Sequence, residues 1–116
     1  MLKVKKEGVI LSPTGRAFEK RAVLNPGILQ IGDTVHVVYR AVAKDHISTL
    51  GYARLDGPLT VVERAKEPIY VPKYQYEKKG LEDPRLTMID GVIYLTYVAH
   101  DGKHALIAYM SGTDLF

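Results

Sequence analysis

The sequence contains no cysteine, which excludes disulfides, zinc-thiolate centres and cysteine nucleophiles and is compatible with a reducing compartment. Long hydrophobic runs are missing too. The basic residues Lys3, Lys5 and Lys6 lead only into Val9-Ile10-Leu11, too short for the apolar core of a secretory leader. Nothing approaches the ~20 apolar residues of a membrane span. The expectation is a cytoplasmic protein without a membrane partner. Charge of one sign is scarce: 16 Lys and Arg stand against 13 Asp and Glu, a formal net charge of +3. No basic stripe accompanies it, which argues against a nucleic-acid partner. The short clusters Lys3 to Lys6 and Lys78-Lys79, each beside a glutamate, read as solvated surface. No phosphate-cradling glycine loop or nucleophile elbow occurs. The histidines His36, His46, His100 and His104 lack metal-ligand spacing, so neither a metal nor another cofactor is expected.

Helical periodicity is nearly absent, and alternation takes its place. In Val35-His36-Val37-Val38-Tyr39-Arg40-Ala41, residues 35, 37, 39 and 41 share one face and His36, Val38 and Arg40 the other. Val92 to Val98 is rich in β-branched and aromatic residues. Both segments read as strands, and the chain as all-β.

A repeat organises these strands. Asn25-Pro26 matches Asp83-Pro84, Ile31 matches Ile89, Val35 matches Ile93, Val37 matches Leu95, Tyr39 matches Tyr97 and Ala41 matches Ala99, each 58 residues apart. The turn pairs Gly32-Asp33 and Asp90-Gly91 keep the same spacing, and Tyr52-Ala53 faces Tyr109-Met110 with a slip of one residue. The first copy resolves into strands at Ile28 to Ile31, Thr34 to Val42, Ser48 to Arg54 and Leu59 to Glu63, joined by hairpin turns and by the loop Ala43 to His46. Four-stranded antiparallel sheets recurring at this length are blades of a β-propeller. The second copy reaches Phe116 before a fourth strand, and Gly8 to Leu11 is a candidate outer strand of another blade. The expected organisation is one domain, residues 1–116: an N-terminal strand region (1–24), a first blade with a long loop (25–82) and an incomplete second blade (83–116). A propeller closes with at least ~4 blades. Two blades leave apolar faces open, so further blades or a homo-oligomer through those faces are expected.

Counting antiparallel strands places the polar residues. Asn25 and Asp83 begin first strands at one rim, and the tips Gly32-Asp33, Asp56-Gly57 and Asp90-Gly91 lie at the other. The first rim also gathers Arg40, Lys44, Asp45, His46, Glu82, Arg85, His100 and Asp101, on the loops where function usually sits. The densest group is Glu82-Asp83-Pro84-Arg85. Pro84 is expected to hold Asp83 extended, which turns Glu82 and Asp83 to different sides. Asp83 is then either a positioned acid or simply the start of a strand. Arg85 binds an anion or a sugar hydroxyl, or pairs with a carboxylate. Asn25 suits a sugar hydroxyl or an Asx-type turn. Arg40, on an otherwise apolar strand, needs a partner, either substrate or a carboxylate. Tyr70, Tyr74 and Tyr76 in the long loop either stack on a sugar face or pack on the surface.

These segments resemble glycoside hydrolase family 130, the mannoside phosphorylases and related mannosidases. The resemblance rests on Leu24-Asn25-Pro26-Gly27, Val38-Tyr39-Arg40-Ala41, Leu50-Gly51-Tyr52-Ala53, and Gly80-Leu81-Glu82-Asp83-Pro84-Arg85-Leu86-Thr87 followed by Ile89-Asp90-Gly91. It implies a partial five-bladed propeller and an enzyme acting on β-mannosides or manno-oligosaccharides. Asp83 would be the catalytic acid, with Asn25 and Arg40 binding the sugar and Arg85 supporting the pocket; Asp101, on the same rim, joins the substrate-binding set. In the phosphorylases of the family, inorganic phosphate is the co-substrate and attacks the anomeric carbon with inversion. Phosphorolysis and hydrolysis both remain open, because the family's phosphate-binding residues lie in later blades. Two alternatives stand beside this reading. One is a non-catalytic sugar-binding or self-assembling propeller fragment. The other is a different five-bladed glycosidase using Asp45, Asp83 and Asp101.

Overall fold

The computed structural model describes residues 1–115, and Phe116 lies outside the described residues. Seven strands form among them: β1 (Ala22–Ile31), β2 (Thr34–Val42), β3 (Ser48–Asp56), β4 (Thr60–Arg64), β5 (Gly80–Ile89), β6 (Val92–His100) and β7 (Ala105–Gly112). The helical residues are two single 3-10 turns, Ala17–Glu19 and Gln75–Glu77, and none lies between Gly27 and Ala53. β1 to β4 pair antiparallel in sequence order as one blade. β5 to β7 pair antiparallel as a second. The sheets meet at one parallel pair, Ser48 with Gly80. The protein is therefore a partial propeller, as the repeat requires. At the tip between β5 and β6, Asp90 and Gly91 take φ of 50° and 76°, the two positive angles of a tight type I′ hairpin.

Alternation along β2 sends its side chains into two cores. Val37, Tyr39 and Ala41 join Phe18, Ala53 and Leu55 on the outward face of the first blade. Val38, Leu50 and Tyr52 point the other way, against Ile93, Leu95, Tyr97 and Ala99 of the second blade. Burying Leu50 alone supplies about 1.5–3 kcal/mol, so this layer fixes one blade against the next. Register shows what the far side of the second blade lacks. Val38 pairs with Tyr52 and Arg40 with Leu50, just as Thr96 pairs with Tyr109 and Val98 with Ile107. Leu50 and Tyr52 are 0% and 2% exposed, whereas their counterparts Ile107 and Tyr109 are 87% and 70% exposed. Among the described residues nothing covers that face.

Three expectations change. Gly8 to Leu11 forms no strand; Leu11 packs on the outward core, and Arg64 donates from Nη2 to the Ser12 carbonyl at 2.8 Å, so a side chain rather than a ladder anchors this segment. Asn25 and Asp83 do not begin strands, because pairing starts earlier, at Ala22 with Val42 and Gly80 with His100. Nor is Asp83 extended, since its φ is +50°.

Candidate functional site at the blade junction

The last correction explains the site. Proline has no N–H for a ladder, so pairing breaks at the same place in both repeats, between Leu24 and Gly27 and between Glu82 and Arg85. Each break is a bulge, and the residue before the proline leaves the pleat at positive φ: 47° at Asn25 and 50° at Asp83. Among residues with side chains, Asn and Asp tolerate that region best. The two bulges meet. Asn25 Nδ2 donates to Asp83 Oδ1 at 2.6 Å, so two residues at one position of the repeat touch across the junction. Proline does bar the right-handed helical region at Asp83, but the bulge selects the left-handed one.

Gly27 permits the approach. A Cβ there would stand 2.8 Å from the Pro84 carbonyl oxygen and 3.2 Å from the Arg85 Cα. Both are backbone atoms, which cannot swing aside. We expect Gly27→Ala to destabilise the chain by about 1–3 kcal/mol and to part Asn25 from Asp83, read as a lower urea midpoint and shifted Asn25 side-chain amide resonances in NMR. An unchanged midpoint with unchanged resonances would refute the packing argument.

Arg40 resolves its own ambiguity. It donates from Nε to Ser48 Oγ at 2.8 Å and from Nη2 to Glu82 Oε1 at 2.8 Å. Its partner is a carboxylate of the second blade, one residue before Asp83, and both side chains are about four-fifths buried, at 23% and 21% exposure. The repeat is broken here, because the position of Arg40 in the second blade is Val98 and that of Glu82 in the first is Leu24. A charged pair has replaced apolar residues beside the Asn25–Asp83 contact, and it braces the strand that carries Asp83. Arg85 is exposed and donates from Nη1 to the Pro84 carbonyl at 2.9 Å.

Asp101 turns inward on its own hairpin. Its Oδ1 accepts from the backbone N–H of Lys103 at 2.8 Å and of His104 at 2.6 Å, and Oδ2 lies 3.0 Å from His104 Nδ1. The His104 N–H, the His104 ring and the Lys103 N–H hold this carboxyl well below the usual 3.8. Tyr74 and Tyr76 stack on each other, with centroids 5.3 Å apart, and the Tyr70 hydroxyl donates to the Leu115 carbonyl. The cavity of about 470 Å³ along Val23, Leu24, Pro26, Val37 and Leu55 is apolar and excludes both Asn25 and Asp83. It lies on the outward face of the first blade, where Ile10 and Leu11 of the N-terminal segment also line it.

Sequence reasoning missed a second polar motif. Glu19 is fully buried and accepts from Thr14 at 2.6 Å, from the Tyr39 hydroxyl at 2.7 Å and from Arg64 at 2.9 Å. Glu77, 2% exposed, accepts from the Tyr97 hydroxyl at 2.7 Å and the Lys73 N–H at 2.9 Å. Each glutamate opens a blade and holds that blade's tyrosine. The signal was present: Phe18-Glu19-Lys20 precedes Tyr76-Glu77-Lys78 by the same 58 residues. Flanking lysines made it read as surface, and although Lys78 and Lys79 are exposed, Glu77 is not.

Burial pushes the Glu19 carboxyl up, but hydrogen bonds from Thr14, Tyr39 and Arg64 outweigh it and hold the group below its usual 4.5. Burial first, and then the bond to Glu19, pushes the Tyr39 phenol up to about 12. As acid is added, the unfolded chain takes up a proton at Glu19 before the folded chain does. The stabilisation is therefore complete above about pH 4.5 and is lost as pH falls through the folded value. Thermal melts from pH 7 down to pH 3 should show a declining Tm, and Glu19→Gln should remove part of that dependence; an identical slope in the variant would count against it.

The fold and the junction define a propeller piece with a polar contact where first strands converge. Comparison with known proteins places it further. The family model described as beta-1,4-mannooligosaccharide phosphorylase matches residues 6–116, and the chain belongs to this family, glycoside hydrolase family 130. It is similar to a beta-1,2-mannobiose phosphorylase of Thermoanaerobacter sp. strain X514, 32% identical over 108 residues, covering 81% of this chain and 35% of the relative. A 1,2-beta-oligomannan phosphorylase of the same organism is 32% identical over 107 residues, covering 84% and 36%. The chain thus spans about a third of the length of these relatives. Among solved structures, a glycosyl hydrolase from Bacteroides ovatus superposes with a TM-score of 0.84 at 22% identity, over 91% of this chain and 36% of its own. The structural neighbours in this family are five-bladed propellers.

Proposed function

We propose that this chain carries the acid-bearing part of a β-mannoside-cleaving site, with Asp83 as general acid and Asn25, Arg40 and Arg85 as its sugar-side partners. One observation carries the reading: the touching bulges of Asn25 and Asp83, set beside an Arg40–Glu82 pair that breaks the repeat. The Asn25 amide fixes Asp83 through Oδ1 and stabilises the carboxylate left after proton transfer. Among the described residues Oδ2 accepts no hydrogen bond, and in this reading it is the oxygen that serves the substrate. In cleavage the bond from the anomeric carbon to the glycosidic oxygen breaks and that oxygen receives the proton of Asp83. An oxygen of inorganic phosphate bonds to the anomeric carbon from the opposite side, giving mannose 1-phosphate; water in that place gives mannose. Phosphate is already a nucleophile, so phosphorolysis needs no second carboxylate to activate water, unlike the paired arrangement of most inverting glycosidases. Asp101, tied within its own turn, is assigned the outer rim of the sugar site.

The direct test incubates the folded chain with inorganic phosphate and β-1,2- or β-1,4-mannobiose. Mannose 1-phosphate or free mannose supports the reading, and their absence removes independent catalysis. A second reading, a sugar-binding or self-assembling module, draws on the exposed Ile107 and Tyr109. Light scattering tests it: a closed homo-oligomer that still contacts mannobiose in saturation-transfer NMR favours it, and a monomer counts against assembly.

A further inference from the structure

Arg40 is held by one edge of its guanidinium. Nε donates to Ser48 Oγ and Nη2 to Glu82 Oε1, each at 2.8 Å, while among the described residues Nη1 donates no hydrogen bond. Ser48 is fully buried and tightly placed. It makes the parallel pair with Gly80 that joins the two sheets, and a Cβ on Gly80 would stand 3.0 Å from both the N and the Cβ of Ser48. The blade junction therefore fixes the hydroxyl, and the hydroxyl fixes the plane of the guanidinium. Arg40 keeps 23% of its side chain exposed, so the group is not sealed into the seam.

The repeat shows that packing did not require this arrangement. Arg40 pairs with Leu24 in the first blade and Val98 with Glu82 in the second, so Val98 is the equivalent of Arg40 and Leu24 that of Glu82. Val42 pairs with Ser48 and His100 with Ala105, so Ala105 is the equivalent of Ser48. All three equivalents are apolar. A largely buried ion pair returns little more than its desolvation costs, and apolar residues of like volume often serve stability as well or better. Here three polar residues replace apolar ones together and hydrogen-bond to one another. They also flank the Asn25–Asp83 contact, Glu82 being the neighbour of Asp83, and Leu24, opposite Arg40, the neighbour of Asn25. Such a unit is placed for a task other than packing.

We propose that Ser48 and Glu82 are positioning residues of the sugar site: together they grip Arg40 by one edge and aim its free Nη1 at a hydroxyl of the sugar whose bond is cleaved. This rests on the function proposed above and adds two residues to it. Neither Ser48 nor Glu82 touches the sugar; both act through the arginine. An arginine side chain is long and flexible, so a fork already set in place loses less freedom when the sugar binds. The grip therefore acts on affinity.

The test titrates the isotope-labelled 116-residue chain with β-1,2- or β-1,4-mannobiose and follows the Arg40 Nε–H resonance by NMR. A saturable shift is expected in the unmodified chain. Ser48→Ala, which takes the residue type found at position 105, should bind about tenfold more weakly, the loss expected for one hydrogen bond to a charged group, while its urea midpoint stays close to that of the unmodified chain. Glu82→Gln keeps an acceptor for Nη2 and should recover most of the affinity that Glu82→Ala loses. Arg40→Ala should bind weakly, and adding Ser48→Ala to it should cost nothing further, because Ser48 acts only through the arginine. The Ser48→Ala comparison stands even if the arginine variants fold poorly. No saturable shift in the unmodified chain, unchanged affinity in Ser48→Ala, or a further loss in the double variant would each overturn the proposal. Failure of the acid assignment reads differently: Asp83→Asn would keep full turnover while the Arg40 signal still depended on Ser48.

Discussion

Glu19→Ala is expected to cost about 3–5 kcal/mol, the usual penalty for removing one member of a buried ion pair. Three groups lose their acceptor together: the Thr14 hydroxyl, the Tyr39 hydroxyl and the Arg64 guanidinium. Arg64 is only 16% exposed, so water cannot restore its solvation without local opening. Small domains hold about 5–15 kcal/mol in all, so the variant should sit near its unfolding threshold, with Tm lower by about 10–25 °C. Chemical denaturation reads the effect as a fall in midpoint at constant slope. The pair Glu19→Met with Arg64→Met should recover a good part of it, because the penalty lies in the orphaned charge rather than in lost attraction. The exposed Lys5–Glu7 pair gives the contrast, since Glu7→Gln should leave the midpoint unmoved. A small loss in Glu19→Ala would mean that the Arg64–Tyr39 stack holds the first blade by itself.

The second large effect concerns chemistry. Under the function proposed above, Asp83→Asn should lower release of mannose 1-phosphate or mannose by about 10²–10⁴-fold, the range that one positioned acid contributes. Asparagine suits the backbone there, since Asn25 already holds φ of 47° at the matching position, so fold and sugar contact should persist while turnover falls. Asp83→Ala, by contrast, should weaken both, because alanine tolerates positive φ poorly and offers Asn25 no acceptor. Turnover in Asp83→Asn close to that of the unmodified chain would remove Asp83 from the acid role. Arg40→Lys should act more mildly, because lysine keeps the positive charge for Glu82 while losing the planar fork that reaches Ser48 and Glu82 from two separate nitrogens.

Much of this molecule is legible residue by residue. The alternation at Val35 to Ala41 sends two sets of side chains to two cores, and both cores exist. The turns at Gly32-Asp33 and Asp90-Gly91 fall between the strands as expected, whereas Asp56 still belongs to β3 and the turn after it runs from Gly57 to Leu59. What local reading got wrong involved contacts between segments distant in sequence. Asp83 was expected to be extended because proline restricts its predecessor, but the opposing strand needed a bulge and the residue type allowed positive φ. Arg40 had two candidate partners until the second blade brought Glu82 beside it.

By itself the sequence determined the all-β class, the 58-residue repeat and the positions where that repeat carries polar residues, because strand alternation and turn chemistry act over a few residues and leave a direct imprint. Only the tertiary structure decided that Asn25 touches Asp83, that Arg40 belongs to Glu82, and that Glu19 and Glu77 are buried. Those outcomes depend on which surfaces the blades exclude from water and on how closely Gly27 lets two backbones approach. Such terms arise from groups tens of residues apart, so no window of sequence expresses them.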